Sequence, residues 1–448
     1  MDYLQLAEDV VKRVAAQGAE AEAYIVVGRE SQVQVDQGKV EKLSHAGSKG
    51  LGVRVIVNGR MGYAYTSDFS AASIEETWRA ALALARAADP DEHRVLPDPQ
   101  PIPDEDLEVF DPALEQVPME EKIAFALAVE EATLGADPRV ALTNRCTYAD
   151  SVASVYLVNS RGFAGHYRHS FAVSYVIAIG RDGEEQTMAF GLDASPFLAD
   201  LDPQAIGQEA GEKAARLLGG QPVPTQEGTV VFSPIATAEL VGALAQALTA
   251  EAMQRGRSFL LGKMGQDVAS DVVSLLDNGR LRRGLASAPF DGEGVPTRAT
   301  RLVDEGVLQA VLYDTYTAHR EGRASTGNAA RSSHRTPPTL APTNFYLQPG
   351  SLSPEEIIAG VEQGLYVLST MNTGGINPVS GDYSVAARGL WIEKGRLTYP
   401  VNEVTVAAPL ERLLKQVQAV GNDLRFVPFG GIFGGPTIRV DGMTIGGR

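Results

Sequence analysis

The strongest constraint on the fold is a pair of alternating apolar and polar runs that meet at Asn58-Gly59. Such alternation is typical of half-buried strands, and Asn-Gly between two such runs is the strongest short-range signal for a hairpin. Further strand-like runs precede the pair in residues 21–47, and amphipathic helical segments flank the whole set. We therefore predict that residues 1–88 form a compact α+β domain.

The remaining chain divides by composition, and 448 residues are enough for two or three domains. Residues 89–118 are rich in Pro and acidic side chains and have no sustained periodicity, which predicts a linker. Residues 119–225 repeat the helix and strand pattern of a second α+β domain. Residues 226–448 contain many short strand-like runs and a few helices, which predicts a β-rich C-terminal domain. Its predicted hairpin turns are Asp304-Glu305-Gly306, Glu393-Lys394-Gly395 and Asp441-Gly442. The predicted fold class is α+β.

Charge and cysteine content limit the partners and the compartment. The net charge is −17, with the acidic excess in residues 1–250, and such a surface repels phosphate backbones. We therefore expect no nucleic-acid partner. No window reaches the ~18 apolar residues of a membrane span, and the N-terminal residues lack the pattern of a signal peptide. With a single cysteine, Cys146, expected to be a buried hydrophobe on a strand, these features predict a cytoplasmic protein.

Residues 233–258 predict a helix without chemically active side chains. Ser233 suits the N-cap, Pro234 suits the first helical position, and Leu240, Leu244 and Leu248 recur at a spacing of four. No His, Cys or Asp occurs in the segment. We expect a buried helix whose leucines and small residues allow close packing.

The histidines do not form a recognisable metal or catalytic motif. No His-Glu-x-x-His sequence occurs, and a strand spacing of three places His166 and His169 on opposite faces. His319 and His334 fall in polar segments without a positioned partner. We expect both to be surface residues.

Two long polar segments, residues 321–344 and 369–389, are the candidates for peptide binding. Segments of more than ~15 residues without a regular pattern are functional or disordered, and both alternatives stay open here. Arginine side chains and backbone amides in them could hold an extended peptide or its carboxylate. The candidate peptide or cavity residues are Arg323, Ser325, Asn328, Arg331, His334, Asn377 and Asp382.

The C-terminal half carries several blocks that together resemble a known family. They include "RGRSFLLGKMGQDVAS", "PFDGEGVPTRATRLVDEGVL", "STGNAAR", "INPVSGDYSVAARGLWIEKG" and "VNEVTVA". In this order they are similar to the TldD/PmbA family of bacterial metallopeptidases. The resemblance covers residues 228–448, and the front half agrees more loosely.

The family's TldD branch has a His-Glu-x-x-x-His stretch, whose positions fall without gaps at about Val241, Gly242 and Gln246 of this chain. Its third metal ligand is a Cys near the C-terminus, where this chain reads "VPFGGIFGG". The chain therefore resembles the PmbA branch, also called TldE. The resemblance implies a cytoplasmic dimer in which a TldD-like partner holds zinc and cleaves unfolded or short linear peptides, in peptide maturation and small-protein degradation. It implies no catalytic residue and no metal in this chain. The role of this chain would be to shape the chamber that encloses the peptide.

Two other hypotheses stay open. The first is a homodimeric peptide-binding protein of the same fold without catalysis, because related chains can share an interface. The second is a hydrolase that uses an unrecognised set of residues around Arg331, His334 and Asp382.

Overall fold

A computed structural model describes residues 1–371 and 373–447. Its N-terminal part is one antiparallel sheet with four helices packed on it. The elements in chain order are α1 (Tyr3–Ala15), β1 (Glu20–Asp36), β2 (Lys39–Val57), β3 (Arg60–Thr66), α2 (Ala71–Ala87), α3 (Met119–Gly135), β4 (Val140–Asn159), β5 (Ala164–Asp182), β6 (Glu185–Ser195) and α4 (Pro203–Arg216).

Strand β1 joins the first predicted α+β unit to the second. The strand order is β3-β2-β1-β4-β5-β6, and β1 pairs with β4 from Glu22 opposite Asn159 to Val35 opposite Cys146. The two units therefore share a continuous six-stranded sheet. The division of the chain at residues 88 and 118 stays a prediction.

Residues 89–118, all of them described, pack against the rest of the molecule without strands or α-helices and contain one short 3-10 helix at Ala113–Glu115. Leu96, Leu107 and Leu114 are buried, and the backbone N–H of Arg283 donates to the Leu107 carbonyl at 2.7 Å. The buried leucines fix this segment on the surface of both parts of the protein.

The C-terminal part contains two larger sheets that enclose one helix. Its elements are β7 (Gln226–Phe232), α5 (Pro234–Ala247), α6 (Ala250–Gln254), β8 (Leu275–Asn278), β9 (Ala299–Asp304), β10 (Val307–Leu308), α7 (Thr315–Arg320), β11 (Ala329–Ala330), β12 (Thr339–Leu340), β13 (Asn344–Leu347), α8 (Pro354–Ala359), β14 (Gln363–Met371), β15 (Ile376–Asn377), β16 (Asp382–Glu393), β17 (Arg396–Pro409), α9 (Leu410–Lys415), β18 (Val417–Val420), β19 (Arg425–Val427), β20 (Ile432–Gly435) and β21 (Ile438–Gly446).

Helix α5 lies at the centre of this part. One sheet has the order β10-β9-β8-β13-β20-β19, and the other has the order β14-β7-β21-β17-β16-β15. Because β16 also pairs with β14, the strand path of the second sheet closes on itself. Helix α5 contacts strands of both sheets, so its side chains form the middle of the largest apolar core. The predicted α+β fold class is confirmed.

Tight two-residue turns form at most of the places that the sequence indicates. Asn58 and Gly59 have φ values of 50° and 74°, as a hairpin turn of this length requires, and they join β2 directly to β3. Residues 305–306 and 394–395 have the same left-handed conformation between paired strands. These three hairpins are confirmed.

The fourth predicted hairpin, at Asp441-Gly442, is wrong. Strand β21 runs through these residues and pairs with β7 on both sides of them, with a register shift between Val440 and Met443. The Asp441 carboxylate accepts a hydrogen bond from the Thr229 hydroxyl at 2.8 Å, which holds the irregularity against β7. The pair is a bulge within a strand, because its neighbours on both sides find partners in the same strand.

The helix predicted over residues 233–258 is shorter than expected. Ser233 caps it and Pro234 begins it, as predicted, but α5 ends at Ala247. The carbonyl of Leu248 accepts from the Leu312 N–H at 2.9 Å, and the Ala250 N–H donates to the Leu312 carbonyl at 2.8 Å. This pairing holds the backbone extended before α6 begins. No helix in the described residues is long and apolar enough to cross a membrane.

Candidate functional site: the cleft beside helix α5

A cleft of about 680 Å³ opens beside α5, and four separate segments form its walls. Helix α5 forms one wall, and the residues between Val427 and Phe433 form another. The two long polar segments contribute Leu340, Ala341 and Pro342, and Ile376 and Pro378. A volume of this size is typical of a ligand site. The α5 cleft, as we call it, is therefore the main candidate site.

The face of α5 toward the cleft is set by its helical period. Glu239, Gly242 and Gln246 are spaced by three and four residues and line the cleft together. A Cβ on Gly242 would lie 2.8 Å from the ring of Phe433, so only glycine lets this ring approach the helix. Val241 is 1% exposed and belongs to the apolar core instead.

Glu239 is the one ionisable side chain among the described residues that line the cleft. One carboxylate oxygen accepts a hydrogen bond from the hydroxyl of Thr370. No described Lys, Arg or His lies within ion-pair distance of it. Burial raises the pKa of Glu239 to about 7, although the hydrogen bond from Thr370 opposes the shift. The sequence did carry a signal for this residue, because Glu239 is the single charged residue within α5.

The cleft walls do not offer a ligand set for zinc. Zinc in peptidases is held by three side chains of the His, Cys, Asp and Glu types. No group of three such residues with suitable geometry occurs in the described part of the chain, and the positions at Gly242 and Gln246 supply a hydrogen and an amide. The residues present therefore do not fit this metal.

Three of the candidate residues in the segment 321–344 point into the protein and have partners there. Arg331 is paired with Glu22 of β1, and its Nε donates to the Gly292 carbonyl at 2.7 Å. The amide of Asn328 donates to the carboxylate of Asp277 at 2.7 Å. Ser325 donates its hydroxyl proton to a backbone carbonyl.

His334 is buried, so the expectation of a surface histidine at this position is wrong. Its ring lies over Gly50 of β2, which has no side chain to exclude it, and its Nε2 lies 3.2 Å from the hydroxyl of Ser67. Burial, with the nearby charge of Arg335, lowers the pKa of His334. His319 is exposed, as expected.

The other candidates lie at exposed positions. Arg323 is 3.6 Å from Glu321, and Asn377 accepts hydrogen bonds from the backbone of the turn that follows it. Asp382 accepts a hydrogen bond from Ser380 at 2.5 Å. In the described residues no contact joins Asp382 to the other two members of the proposed hydrolase set. None of the seven candidates lines the α5 cleft, and their contact with a peptide stays a prediction.

The remaining residues singled out by chemistry have structural environments. Cys146 is fully buried, with Sγ 3.3 Å from the carbonyl of Ala126, and burial raises its pKa to about 12. This confirms the predicted buried thiol. His166 stacks on Tyr156 of the adjacent strand, whereas His169 lies beside a different ring, as alternation along β5 requires.

A buried ionic cluster joins the N-terminal sheet to the C-terminal part. Arg54 of β2 lies 2.7 Å from both Glu22 and Glu293, and Arg331 completes the cluster. Burial opposes the charge of Arg54, but the two carboxylates outweigh it and raise its pKa. Burial and the charge of Glu293 raise the pKa of Asp291 to about 7. The cluster orients the two parts, because an unpaired buried charge is costly.

Three family models match consecutive parts of the chain, and all three describe the same family. Models of PmbA/TldA metallopeptidases match as domain 1 at residues 21–85, as the central domain at 112–218 and as the C-terminal domain at 225–447. The chain is 30% identical over 417 residues to "Metalloprotease PmbA" of Escherichia coli O157:H7, covering 91% of this chain and 89% of that one.

Two further proteins extend the comparison. The "Metalloprotease TldD homolog" of Haemophilus influenzae is 25% identical over 463 residues, 95% of this chain and 92% of the relative. TldE from Thermococcus kodakarensis has the same fold, with a TM-score of 0.89 over 98% of this chain and 99% of that one at 24% identity. The chain belongs to the PmbA/TldD family of metallopeptidases.

Proposed function

We propose that this chain is the TldE-type subunit of a two-chain zinc peptidase, in which it forms part of a peptide chamber and a TldD-like partner holds the zinc. The observation that carries the proposal is the composition of the α5 cleft. Its helix wall presents Gly242 and Gln246 near the positions where the TldD branch has ligands, and Phe433 fills the space beside the glycine.

The cleft has features that suit an extended peptide. Among the described residues, strand β15 lies at the end of the strand order of its sheet and pairs with β16, and Ile376 of β15 lines the cleft. A free strand edge can hydrogen-bond a peptide backbone with little regard to sequence. Apolar walls beside this edge would receive side chains. This supports binding of unfolded or short linear peptides, in peptide maturation or small-protein degradation, rather than of folded proteins.

Exposed apolar side chains near the cleft support a partner surface. Leu261, Val379 and Phe429 are 54%, 49% and 44% exposed. The N–H of Phe259 donates to the carbonyl of Pro378 at 3.0 Å, which brings the segments of Leu261 and Val379 together. Exposed apolar groups of this kind are typical of protein interfaces. With its single buried thiol, the protein suits a reducing compartment, and we place the complex in the cytoplasm.

Reconstitution with the TldD-like chain of the same genome tests the proposal. Each chain alone and the mixture are assayed for assembly by native mass spectrometry, for bound zinc and for cleavage of a labelled unfolded peptide. We expect a heterodimer, with zinc and cleavage that depend on the partner. Val379→Asp should weaken assembly, whereas Val40→Asp, at an exposed position of β2, should not.

Two results would contradict the proposal. Zinc-dependent cleavage by this chain alone would show that it carries its own active site. A homodimer that does not exchange with the TldD-like chain would favour a homodimeric peptide-binding protein of the same fold.

A further inference from the structure

Glu239 has a hydrogen-bonding position that no described residue uses, and its side chain lines the α5 cleft. Its Oε2 accepts from the Thr370 hydroxyl. Its Oε1 accepts no hydrogen bond from a described residue, and it is not sealed off as a buried unpartnered atom. The carboxyl group is thus held in place on one side and available to a ligand on the other.

Buried carboxylates elsewhere in the protein have either a cation or several hydrogen-bond donors, and Asp277, for example, accepts three hydrogen bonds from the chain without a cation. Glu22 is paired with two arginines, Asp150 lies 2.6 Å from a lysine, and Glu209 is paired with an arginine and a lysine. Carboxylates in apolar surroundings are costly unless they are paired. At Glu239 the described residues supply no cation and a single hydrogen bond, from Thr370. The missing positive charge can therefore come from a ligand.

We propose that the α5 cleft binds the amino-terminal residue of a linear peptide, with its ammonium group on Glu239 and an apolar first side chain against Ile376 and Phe433. This extends the proposed function, on which it rests for peptides as the ligand class. In this proposal the backbone of the following residues lies along the edge of β15 opposite β16. An α-ammonium group, unlike that of a lysine side chain, is adjacent to the peptide backbone, so the carboxylate and the strand edge can be engaged together.

The size and charge of the protein agree with this ligand. A cleft of about 680 Å³ holds a few residues, not a folded domain. The net charge of −17 attracts cationic groups toward the protein. Hydrogen bonds between an ammonium and a carboxylate are among the stronger ones in proteins, which gives the amino terminus a defined position.

Binding to the full-length chain alone is measured by calorimetry with three amidated peptides. The first is Leu-Ala-Ala-Ala with a free amino terminus, the second is its N-acetylated form, and the third is N-acetyl-Ala-Ala-Ala-Lys. We expect acetylation to weaken binding at least tenfold, and the lysine peptide to bind no better than the acetylated one. Equal binding of the first two, tight binding of the third, or no binding of the first would overturn the proposal.

A substitution at Glu239 tests the role of its charge alone. Glu239→Gln keeps the shape and an acceptor for Thr370 but removes the charge, so the free-amine peptide should bind at least tenfold more weakly while the acetylated peptide is unaffected. Glu362→Gln, an exposed position without a described side-chain contact, is the control and should bind as the wild type does. Unchanged binding by Glu239→Gln, in a protein that melts as a folded chain, contradicts the assignment.

Peptide binding at Glu239 and the two-chain peptidase can fail independently of each other. Assembly and cleavage with the TldD-like chain are measured on the same preparations. If cleavage appears in the mixture but the chain alone shows no preference for a free amino terminus, only the inference about Glu239 fails. If the preference is found without assembly, only the two-chain peptidase fails.

Discussion

Replacing Glu239 with Gln should stabilise the protein at pH 8 and leave its stability unchanged at pH 4. Burial raises the pKa of Glu239 from 4.5 to about 7 in the folded protein. Below pH 4.5 the carboxyl is protonated in both the folded and the unfolded states and contributes no difference. As the pH rises from 4.5 to 7 the unfolded state loses the proton first, so the folded state loses stability over this window.

The magnitude follows from the separation of the two pKa values. The difference between about 7 and 4.5 is about 2.5, and one pKa unit corresponds to about 1.36 kcal/mol, so the loss above pH 7 is about 3 kcal/mol. Gln is neutral at every pH and avoids this loss. At roughly 2 °C per kcal/mol for a domain of this size, the Tm of Glu239→Gln should exceed that of the wild type by about 6 °C at pH 8.

Thermal melts followed by circular dichroism between pH 4 and pH 9 provide the assay. The quantity to plot is the difference in Tm between variant and wild type, because other groups that titrate in this range, such as Asp291, cancel in it. Tyr383, whose pKa is raised by burial and then by the charge of Glu239, stays neutral throughout. A difference that is flat across this range, or equal to that of Glu362→Gln, would refute the reasoning.

Three further substitutions or reactions test other parts of the structure. Arg331→Ala leaves a buried carboxylate of β1 without one of its partners and should cost about 3–5 kcal/mol in urea unfolding, whereas Arg323→Ala, at an exposed position, should change stability by less than about 0.5 kcal/mol. Equal effects would contradict the role of the buried cluster. Gly242→Val places a Cβ 2.8 Å from the ring of Phe433 and should cost about 1–3 kcal/mol, with a smaller cost in a Phe433→Ala background. A double-mutant cycle without coupling would argue against this contact. Cys146, with a pKa raised to about 12 by burial, should react with iodoacetamide at pH 8 only after denaturation, which mass spectrometry would detect. Rapid labelling of the native protein would contradict its burial.

Features of the fold that depend on neighbouring residues could be predicted from the sequence. The turn at Asn58-Gly59 follows from the left-handed conformation that Asn and Gly tolerate, and the start of α5 follows from Ser233 and Pro234. The end of α5 could not be predicted, because no Gly or Pro marks it and the helix is interrupted by backbone pairing with Leu312. The pairing of β1 with β4 joins residues more than a hundred positions apart and leaves no local signal.

The candidate site was harder to predict for a different reason. Arg331, Asn328 and His334 are candidates in the sequence because polar side chains cluster in a long segment there. In the structure their partners are groups of the same protein, Glu22, Asp277 and Ser67. A residue type defines what a side chain can bind, but not whether that partner is a ligand or another part of the chain. The polar segments do reach the α5 cleft, although they contribute apolar residues to it.

The cleft face of α5 combines one carboxylate, one glycine and one amide side chain. Glu239, Gly242 and Gln246 lie on one face of the helix, and the buried leucine stripe lies on the opposite face. Glycine in the middle of this face costs about 1 kcal/mol relative to alanine, and the close approach of Phe433 gives it a structural reason. A face that offers one carboxylate, one amide and an aromatic ring can hold a peptide end by charge and apolar contact. This composition is why we propose peptide binding for this chain and zinc chemistry for a TldD-like partner.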